Sequence, residues 1–324
     1  MSEVLAVEGL TVRLTAYPDR SSVLDDVGLT VAQGEVLGIV GESGSGKSML
    51  ALSVMGLLPP ALSIQAGRIR VLGDELAGRP REAWRAHRGR DMAMIFQEPM
   101  TSLNPVMRIG QQITEVLRWR GGLSRTGARR RALELLEQVE IPSPRGRLDA
   151  FPHELSGGMR QRVMIAIALA ASPKLLIADE PSTALDVTVQ AQILDLLRSL
   201  QRRSGMALIL ITHDLGVIAE IADRVMVLYA GRVAETASVR TIFDAPAHPY
   251  TEALLGSIPD LAARRARLTT IAGTVPDAFS MPPGCRFAPR CRYRQAPCER
   301  TPPALRPLAT GHDVACLRAS GEIA

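Results

Sequence analysis

Val36-Leu37-Gly38-Ile39-Val40, followed without a break by Gly41-Glu42-Ser43-Gly44-Ser45-Gly46-Lys47-Ser48, is the stretch on which the reading of this chain turns. A compact apolar run that meets a glycine predicts a buried strand. The eight residues after it have the spacing of a phosphate-binding loop, and Met49 to Leu58 continue as an apolar stretch that Pro59-Pro60 ends. Strand, glycine-rich turn and helix form the context this chemistry needs. The backbone N–H groups of the loop from Gly41 to Gly46 can surround phosphate oxygens, and the helix N-terminus adds partial positive charge. Lys47 reaches the terminal phosphates and Ser48 offers its hydroxyl to Mg²⁺. A glycine-rich turn arising by chance would rarely carry Lys-Ser in register.

Outward from the loop, apolar runs recur at Leu175 to Ala178, Ala207 to Ile211 and Val225 to Leu228. Between the first two, Val189, Ile193, Leu196, Leu197 and Leu200 keep helical spacing. Strands alternating with helices predict a largely parallel, covered sheet and an α/β fold of the P-loop NTPase kind. Upstream, Val4 to Val7, Leu10 to Leu14 and Val27 to Val31 predict short antiparallel strands, an antiparallel β subdomain. From about Thr101 to Ala171 the pattern turns helical: Ala132, Leu135, Leu136 and Val139 share one face, so residues 100–172 are expected to form a helical subdomain. Prolines accumulate after Arg240 (Pro246, Pro249, Pro259, Pro276, Pro282, Pro283), and all four cysteines follow Gly284. Two domains are expected: a nucleotide-binding domain over 1–240 and a small, loop-rich extension over 241–324.

Three further sites carry chemistry. The run Leu175 to Ala178 ends in Asp179-Glu180, which places Asp179 at a strand's carboxyl edge, where a Mg²⁺ shell would lie, and Glu180 where it can polarise an attacking water. An isolated acidic pair at a strand end is usually just solvated; paired with a phosphate loop it reads as catalytic. His213 follows the strand that ends at Ile211 and stands at the same kind of edge, able to hydrogen-bond a γ-phosphate or orient water. Leu155-Ser156-Gly157-Gly158-Met159-Arg160-Gln161 opens a helix inside the insert, with Ser156 as N-cap and two glycines exposing N–H groups. It suits a second phosphate, one bound by a neighbouring subunit.

Composition narrows the class. The 324 residues suggest two domains, and 46% apolar with 22% charged residues exclude a disordered chain. No uninterrupted run of about 18 apolar residues occurs, so any membrane role is expected to come through partners. Met1 to Val12 has no signal-peptide pattern, and a cytoplasmic location is expected. Lys and Arg number 38 against 33 Asp and Glu, a mild +5, and aromatic residues are only 3%, so no nucleic-acid partner is expected. The basic clusters Arg79 to Arg90 and Arg125 to Arg131 are read as solvated surface.

Taken together, these motifs resemble the nucleotide-binding subunit of ATP-binding cassette (ABC) transporters over residues 1–240. The resemblance implies that Gly41 to Ser48 is the Walker A loop, Gln97 in Ile95-Phe96-Gln97-Glu98-Pro99 the Q-loop glutamine and a Mg²⁺ neighbour, and Leu155 to Gln161 the signature. It makes Asp179 and Glu180 Walker B, Thr183-Ala184-Leu185-Asp186 the D-loop and His213 the switch histidine. Tyr17 stands near the expected adenine-stacking position, with Leu14 as a competing alignment. The implied activity is hydrolysis of ATP with Mg²⁺ in a head-to-tail dimer, each nucleotide held between one subunit's Walker A and the other's signature. Such a dimer would drive two membrane permease subunits from the cytoplasmic face of the inner membrane as a peripheral protein. Soluble ABC ATPases acting on ribosomes or DNA usually hold two cassettes or a long coiled-coil insertion, and this chain has neither.

Met159 to Ala166, Ala184 to Gln190, Ala247-His248-Pro249-Tyr250-Thr251 and Pro99 to Pro105 resemble the dipeptide, oligopeptide and nickel importer ATPases more narrowly. Met159 points to the first of two paired ATPases, hence a heterodimer with a related ATPase, a homodimer being the alternative, and an external substrate-binding protein. Peptide is the implied cargo, nickel or another small solute the alternative. Cys285, Cys291, Cys298 and Cys316 lack a C-x-x-C pair, and a reducing compartment disfavours disulfides. Four thiolates suit a [4Fe–4S] cluster, which some members of this importer family carry. Zinc and free structural thiols are the alternatives, as is a redox-responsive regulator. The arginines from Arg286 to Arg294 would then offset cluster charge or form exposed basic surface.

Overall fold

The computed structural model describes residues 2–19, 21–97, 102–182, 185–257 and 271–323. Glu98 to Thr101, Thr183-Ala184 and Pro259, all named above, lie outside the described residues. In chain order the elements are β1 (Glu3–Leu14), β2 (Leu24–Ala32), β3 (Val36–Val40), α1 (Lys47–Met55), β4 (Leu62–Val71), β5 (Asp74–Glu75), α2 (Arg81–His87) and β6 (Met92–Ile95). There follow α3 (Ile109–Trp119), α4 (Arg125–Gln138), α5 (Gly157–Leu169), β7 (Leu175–Asp179), α6 (Val187–Ser204), β8 (Ala207–Ile211) and α7 (Leu215–Ile221). The chain closes with β9 (Arg224–Tyr229), β10 (Arg232–Ser238), α8 (Val239–Asp244), α9 (Pro249–Gly256), β11 (Arg306–Ala309) and β12 (His312–Val314). Among the described residues no helix is long and apolar enough to cross a membrane.

The chain divides into two compact units. One comprises Met1–Val4, Ala32–Glu35 and Arg79–Ile209; the other Leu5–Val31, Val36–Gly78 and Leu210–Ala324. In the first, the strands run in the order β8-β7-β6, with β6 and β7 parallel from Met92 opposite Leu175 to Ile95 opposite Ala178. Every residue of β7 is buried, as expected of a strand covered on both faces. The expected helical insert is there as α3, α4 and α5, which pack on one another. Ala132, Leu135, Leu136 and Val139 are all buried, so the apolar stripe faces the core as its spacing predicted.

In the second unit, β2, β1, β4 and β5 form one antiparallel sheet, and a further run of strands has the order β11-β12-β10-β9-β3, with β3 and β9 parallel. Two expectations change here. The upstream segment is one strand, β1, because a bulge between Glu8 and Thr11, with Gly9 at φ 58°, absorbs the break in alternation. The C-terminal extension is less loop-like than its prolines predict: the β11–β12 hairpin adds to β10 through Glu235 opposite Val314. Its core is aromatic, with the Tyr229, Tyr250 and Phe287 rings 4.5 to 5.3 Å apart. Such contacts contribute about 0.5–1.5 kcal/mol beyond area burial.

Candidate functional site

The second unit builds the phosphate loop. β3 ends at Val40 and α1 starts at Lys47, so the loop spans six residues. Gly41 has φ 154°, and a Cβ there would meet the Leu228 carbonyl oxygen on β9 at 2.2 Å, so the turn out of β3 tolerates no side chain. Lys47 folds back along the loop: its ammonium donates to the carbonyls of Gly41 (2.7 Å) and Glu42 (3.0 Å) and to Ser45 Oγ (3.4 Å). Ser45 is fully buried and Lys47 nearly so. The helix N-terminus carries no side-chain cap, which leaves its N–H groups to an anion. Ser48 stands in the first turn of α1.

His213 belongs to the same unit. The Thr212 N–H donates to the Ile39 carbonyl at 3.3 Å, so His213 follows β8 beside the end of β3 that leads into the loop. Its side chain is exposed. Tyr17 is 55% exposed and meets Phe279 edge-on, ring centroids 5.7 Å apart.

The first unit supplies the acids. Asp179 is the last residue of β7 and is buried. Glu180 follows in the left-handed region at φ 47°, a conformation that costs a non-glycine residue roughly 1–2 kcal/mol and gathers at functional sites. Gln97 Nε2 donates to Glu180 Oε2 at 3.2 Å, so the amide and carboxylate that the motifs single out meet although 83 residues apart.

Ser156 caps α5 as predicted, accepting the Met159 N–H at 3.3 Å. The two glycines after it answer to packing: a Cβ on Gly158 would lie 2.7 Å from Val189 Cγ1, and one on Gly157 3.2 Å from Leu185 Cδ2. Asp186 caps α6 through the Val189 N–H at 3.0 Å. Gly157 and Gly158 therefore lie beside Leu185 and Val189 of the same chain.

The four cysteines are free and line one small pocket with Phe287, Tyr293 and Arg318. The Cys285 N–H donates to the Cys298 carbonyl at 2.8 Å, which brings the first and third together. Burial pushes the Cys285 thiol up to about 11 and raises that of Cys291. Among the described residues no group of three or more His, Cys, Asp or Glu side chains is placed to hold a metal ion. Two of the intervening arginines are neither exposed nor turned to the cysteines. Arg286 is buried on Asp25 Oδ2, Ser22 Oγ and the Ala230 carbonyl, and burial lowers its guanidinium to about 10.

Sequence reasoning missed Tyr250 and Arg290, which hold the phosphate loop from outside. The Tyr250 hydroxyl accepts the Glu42 N–H at 2.8 Å, and Arg290 grips the Glu42 carboxylate with two N–H groups at 2.6 and 3.0 Å. They lie more than 200 residues from the loop, and no local pattern links them.

Residues 24–183 match the ABC transporter family, and residues 234–298 match the oligopeptide/dipeptide transporter C-terminal region. The dipeptide transport ATP-binding protein DppD of Bacillus subtilis (strain 168) is 48% identical over 98% of this chain and 95% of its own length. DppD of Escherichia coli (strain K12) is 48% identical over 97% of this chain and 96% of its own. The dimeric post-hydrolysis structure of the ATP-binding cassette MJ0796, bound to ADP and Pi, aligns at TM-score 0.65 with 28% identity, over 73% of this chain and 99% of that one. With a phosphate loop, strand-end acids and a capped glycine pair in the order such a cassette requires, the chain belongs to the ABC transporter ATP-binding family, in the branch that carries the oligopeptide/dipeptide transporter C-terminal region.

Proposed function

We propose that this ABC ATPase energises the import of peptides, working as a peripheral subunit on the cytoplasmic face of the inner membrane. The observation that carries the reading is the loop that wraps the Lys47 ammonium in its own oxygens between β3 and α1. Peptide as cargo is supported by relatives named for dipeptide transport that align over nearly the whole chain. Nickel or another solute has no such support. Two permease subunits, a second related ATPase and an external substrate-binding protein complete the proposed assembly, with a homodimer as the alternative pairing. The dimeric state of MJ0796 supports pairing; in the proposed head-to-tail arrangement, Ser156, Gly157 and Gly158 contact the partner subunit's nucleotide.

In the proposed mechanism the N–H groups of the loop surround the phosphates in ground state and transition state alike, and the Lys47 ammonium neutralises charge as it develops on the transferring group. Ser48, Gln97 and Asp179 offer the oxygen donors a hard cation takes, and bound Mg²⁺ supplies further charge neutralisation. Glu180 orients the attacking water, and Gln97 holds its carboxylate. His213 hydrogen-bonds the γ-phosphate, Tyr17 stacks on adenine, and Asp186 steadies α6 beside the signature. The functional division is the cassette over 1–240 and the extension over 241–324.

The test is uptake of a labelled dipeptide into vesicles holding the assembled complex. Lys47→Ala is expected to weaken nucleotide binding and, with it, uptake; uptake that persists without ATP hydrolysis by this subunit sinks the proposal.

A second reading concerns the extension, where we propose that Cys285, Cys291, Cys298 and Cys316 hold a [4Fe–4S] cluster. It is supported by all four thiols lining one cavity. Bound, the cluster would cross-link the extension. Iron and sulfide content of protein purified without oxygen tests this: about four of each per chain is expected, and none in either fraction ends the reading.

A further inference from the structure

The C-terminal extension reaches into the ATP site through two side chains that belong to none of the cassette motifs. Glu42, the second residue of the phosphate loop, is held at three points. Its carbonyl accepts from Lys47 at 3.0 Å, its N–H donates to the Tyr250 hydroxyl at 2.8 Å, and its carboxylate sits in the fork of Arg290. Only the first of these ties is internal to the loop.

Arg290 is built for this task. Its side chain is 4% exposed, and its five N–H groups face five acceptors. Nη1 donates to Glu42 Oε2 (2.6 Å) and to the Tyr229 hydroxyl (3.3 Å). Nη2 donates to Glu42 Oε1 (3.0 Å) and the Ile271 carbonyl (3.1 Å), and Nε to the Ala272 carbonyl (2.8 Å). The guanidinium carbon also lies 5.8 Å from the Tyr229 ring centroid and 6.0 Å from that of Phe287. A bidentate, fully satisfied guanidinium fixes the direction of its carboxylate in a way that an ammonium cannot. Tyr250 is fully buried, and burial raises its phenol well above the ordinary range, so the hydroxyl stays neutral and stays an acceptor.

We propose that Arg290 and Tyr250 are positioning residues for the phosphate loop, setting ATP affinity from the C-terminal extension. The inference rests on Gly41 to Ser48 being the ATP site. The loop must present several N–H groups toward one point, and a flexible glycine-rich segment does so only if its ends and its exit from β3 are fixed. Lys47 pins the far end; Arg290 and Tyr250 pin the exit. The fork comes from the segment that carries Cys285 and Cys291: the Arg290 N–H donates to the Phe287 carbonyl, and the Cys291 N–H to that of Ala288. Disorder in the cysteine-bearing segment is thereby felt at the nucleotide.

The experiment is titration of the full chain with the β,γ-imido analogue of ATP and Mg²⁺, together with steady-state kinetics on ATP. Arg290→Gln is expected to weaken binding about tenfold, equivalent to about 1.4 kcal/mol. Tyr250→Phe, which removes one oxygen, is expected to weaken it about threefold, and Arg290→Lys to fall between wild type and Arg290→Gln. KM for ATP rises in step while kcat stays within about twofold, because the loop holds ground state and transition state alike. Wild-type affinity in folded Arg290→Gln and Tyr250→Phe overturns the proposal. If Arg290→Gln fails to fold, Tyr250→Phe decides alone. Lys47→Ala binding as tightly as wild type would show instead that the loop is not the ATP site, and the proposal falls with that reading.

Discussion

The phosphate loop and the cysteine-bearing segment from Cys285 to Cys316 are held in opposite ways. The loop is organised mainly from within: Lys47 bonds Gly41, Glu42 and Ser45, all within six residues. The cysteine segment is organised from without. Arg286 reaches Asp25 across 261 residues, and Arg290 reaches Glu42 across 248. A motif that supplies its own hydrogen bonds can be recognised in a sequence, whereas a segment that borrows them cannot. The difference predicts how each region fails: changes at the cassette motifs remove chemistry and spare stability, while changes in the extension remove stability or affinity and spare the chemical step.

Glu180→Gln carries the largest expected effect. Turnover should fall by about 10²–10⁴-fold, the range for loss of a group that handles the proton, with ATP still bound and the thermal midpoint unchanged. Equal ATPase rates would break the comparison on the cassette side. Arg286→Ala should do the reverse. It removes one partner of a buried ion pair whose arginine is 8% exposed, at a cost of about 3–5 kcal/mol in urea unfolding, with kcat per folded molecule intact.

Acid should also act on the extension first. His248 is buried, and burial lowers its imidazole to about 4; its Nδ1 accepts the Tyr250 N–H at 3.0 Å, and Glu235 is the carboxylate beside it. Because the folded state resists the proton, the unfolded chain takes it first as pH falls below the ordinary 6.5. Stability is therefore lost progressively from about pH 6.5 toward 4, by about 2 kcal/mol at pH 5. His248→Gln should flatten that slope in urea midpoints measured between pH 7.5 and 5; an unchanged slope rules His248 out as its source. The smallest effect belongs to Ser156→Ala, which removes the α5 cap at a cost of about 1 kcal/mol. If the same change cuts ATPase in the assembled complex by tenfold or more, Ser156 touches phosphate as well as capping its helix.

Much of the fold was legible. A continuous apolar run located β8, whose every residue is buried, and a period of 3.6 located the apolar stripe on α4, which buries one side against a core. What the patterns missed has particular causes. β1 looks like two strands because Gly9 occupies a bulge, which shifts the alternation without ending the pairing. The β11–β12 hairpin is hidden among prolines, and it is stabilised by pairing with β10 far upstream. At the candidate site, Asp179, Glu180 and His213 were visible because each sits at or just beyond a strand end, and Lys47 because it opens the helix that follows a glycine-rich loop. That Gln97 meets Glu180, and that Gly158 gives way to Val189, are facts of packing.

The sequence by itself determined the local chemistry: a loop able to surround phosphate, acids at the end of a buried strand, a capped helix N-terminus with two glycines, and four thiols near the C-terminus. Each depends on residues a few positions apart, where chain geometry leaves little choice. Only the tertiary structure decided what the charged residues between those thiols do. Arg286 and Arg290 have a free choice of partner in the unfolded chain, and burial removes that choice: a guanidinium taken out of water needs acceptors at its fork, and Asp25 and Glu42 are where the fold supplies them.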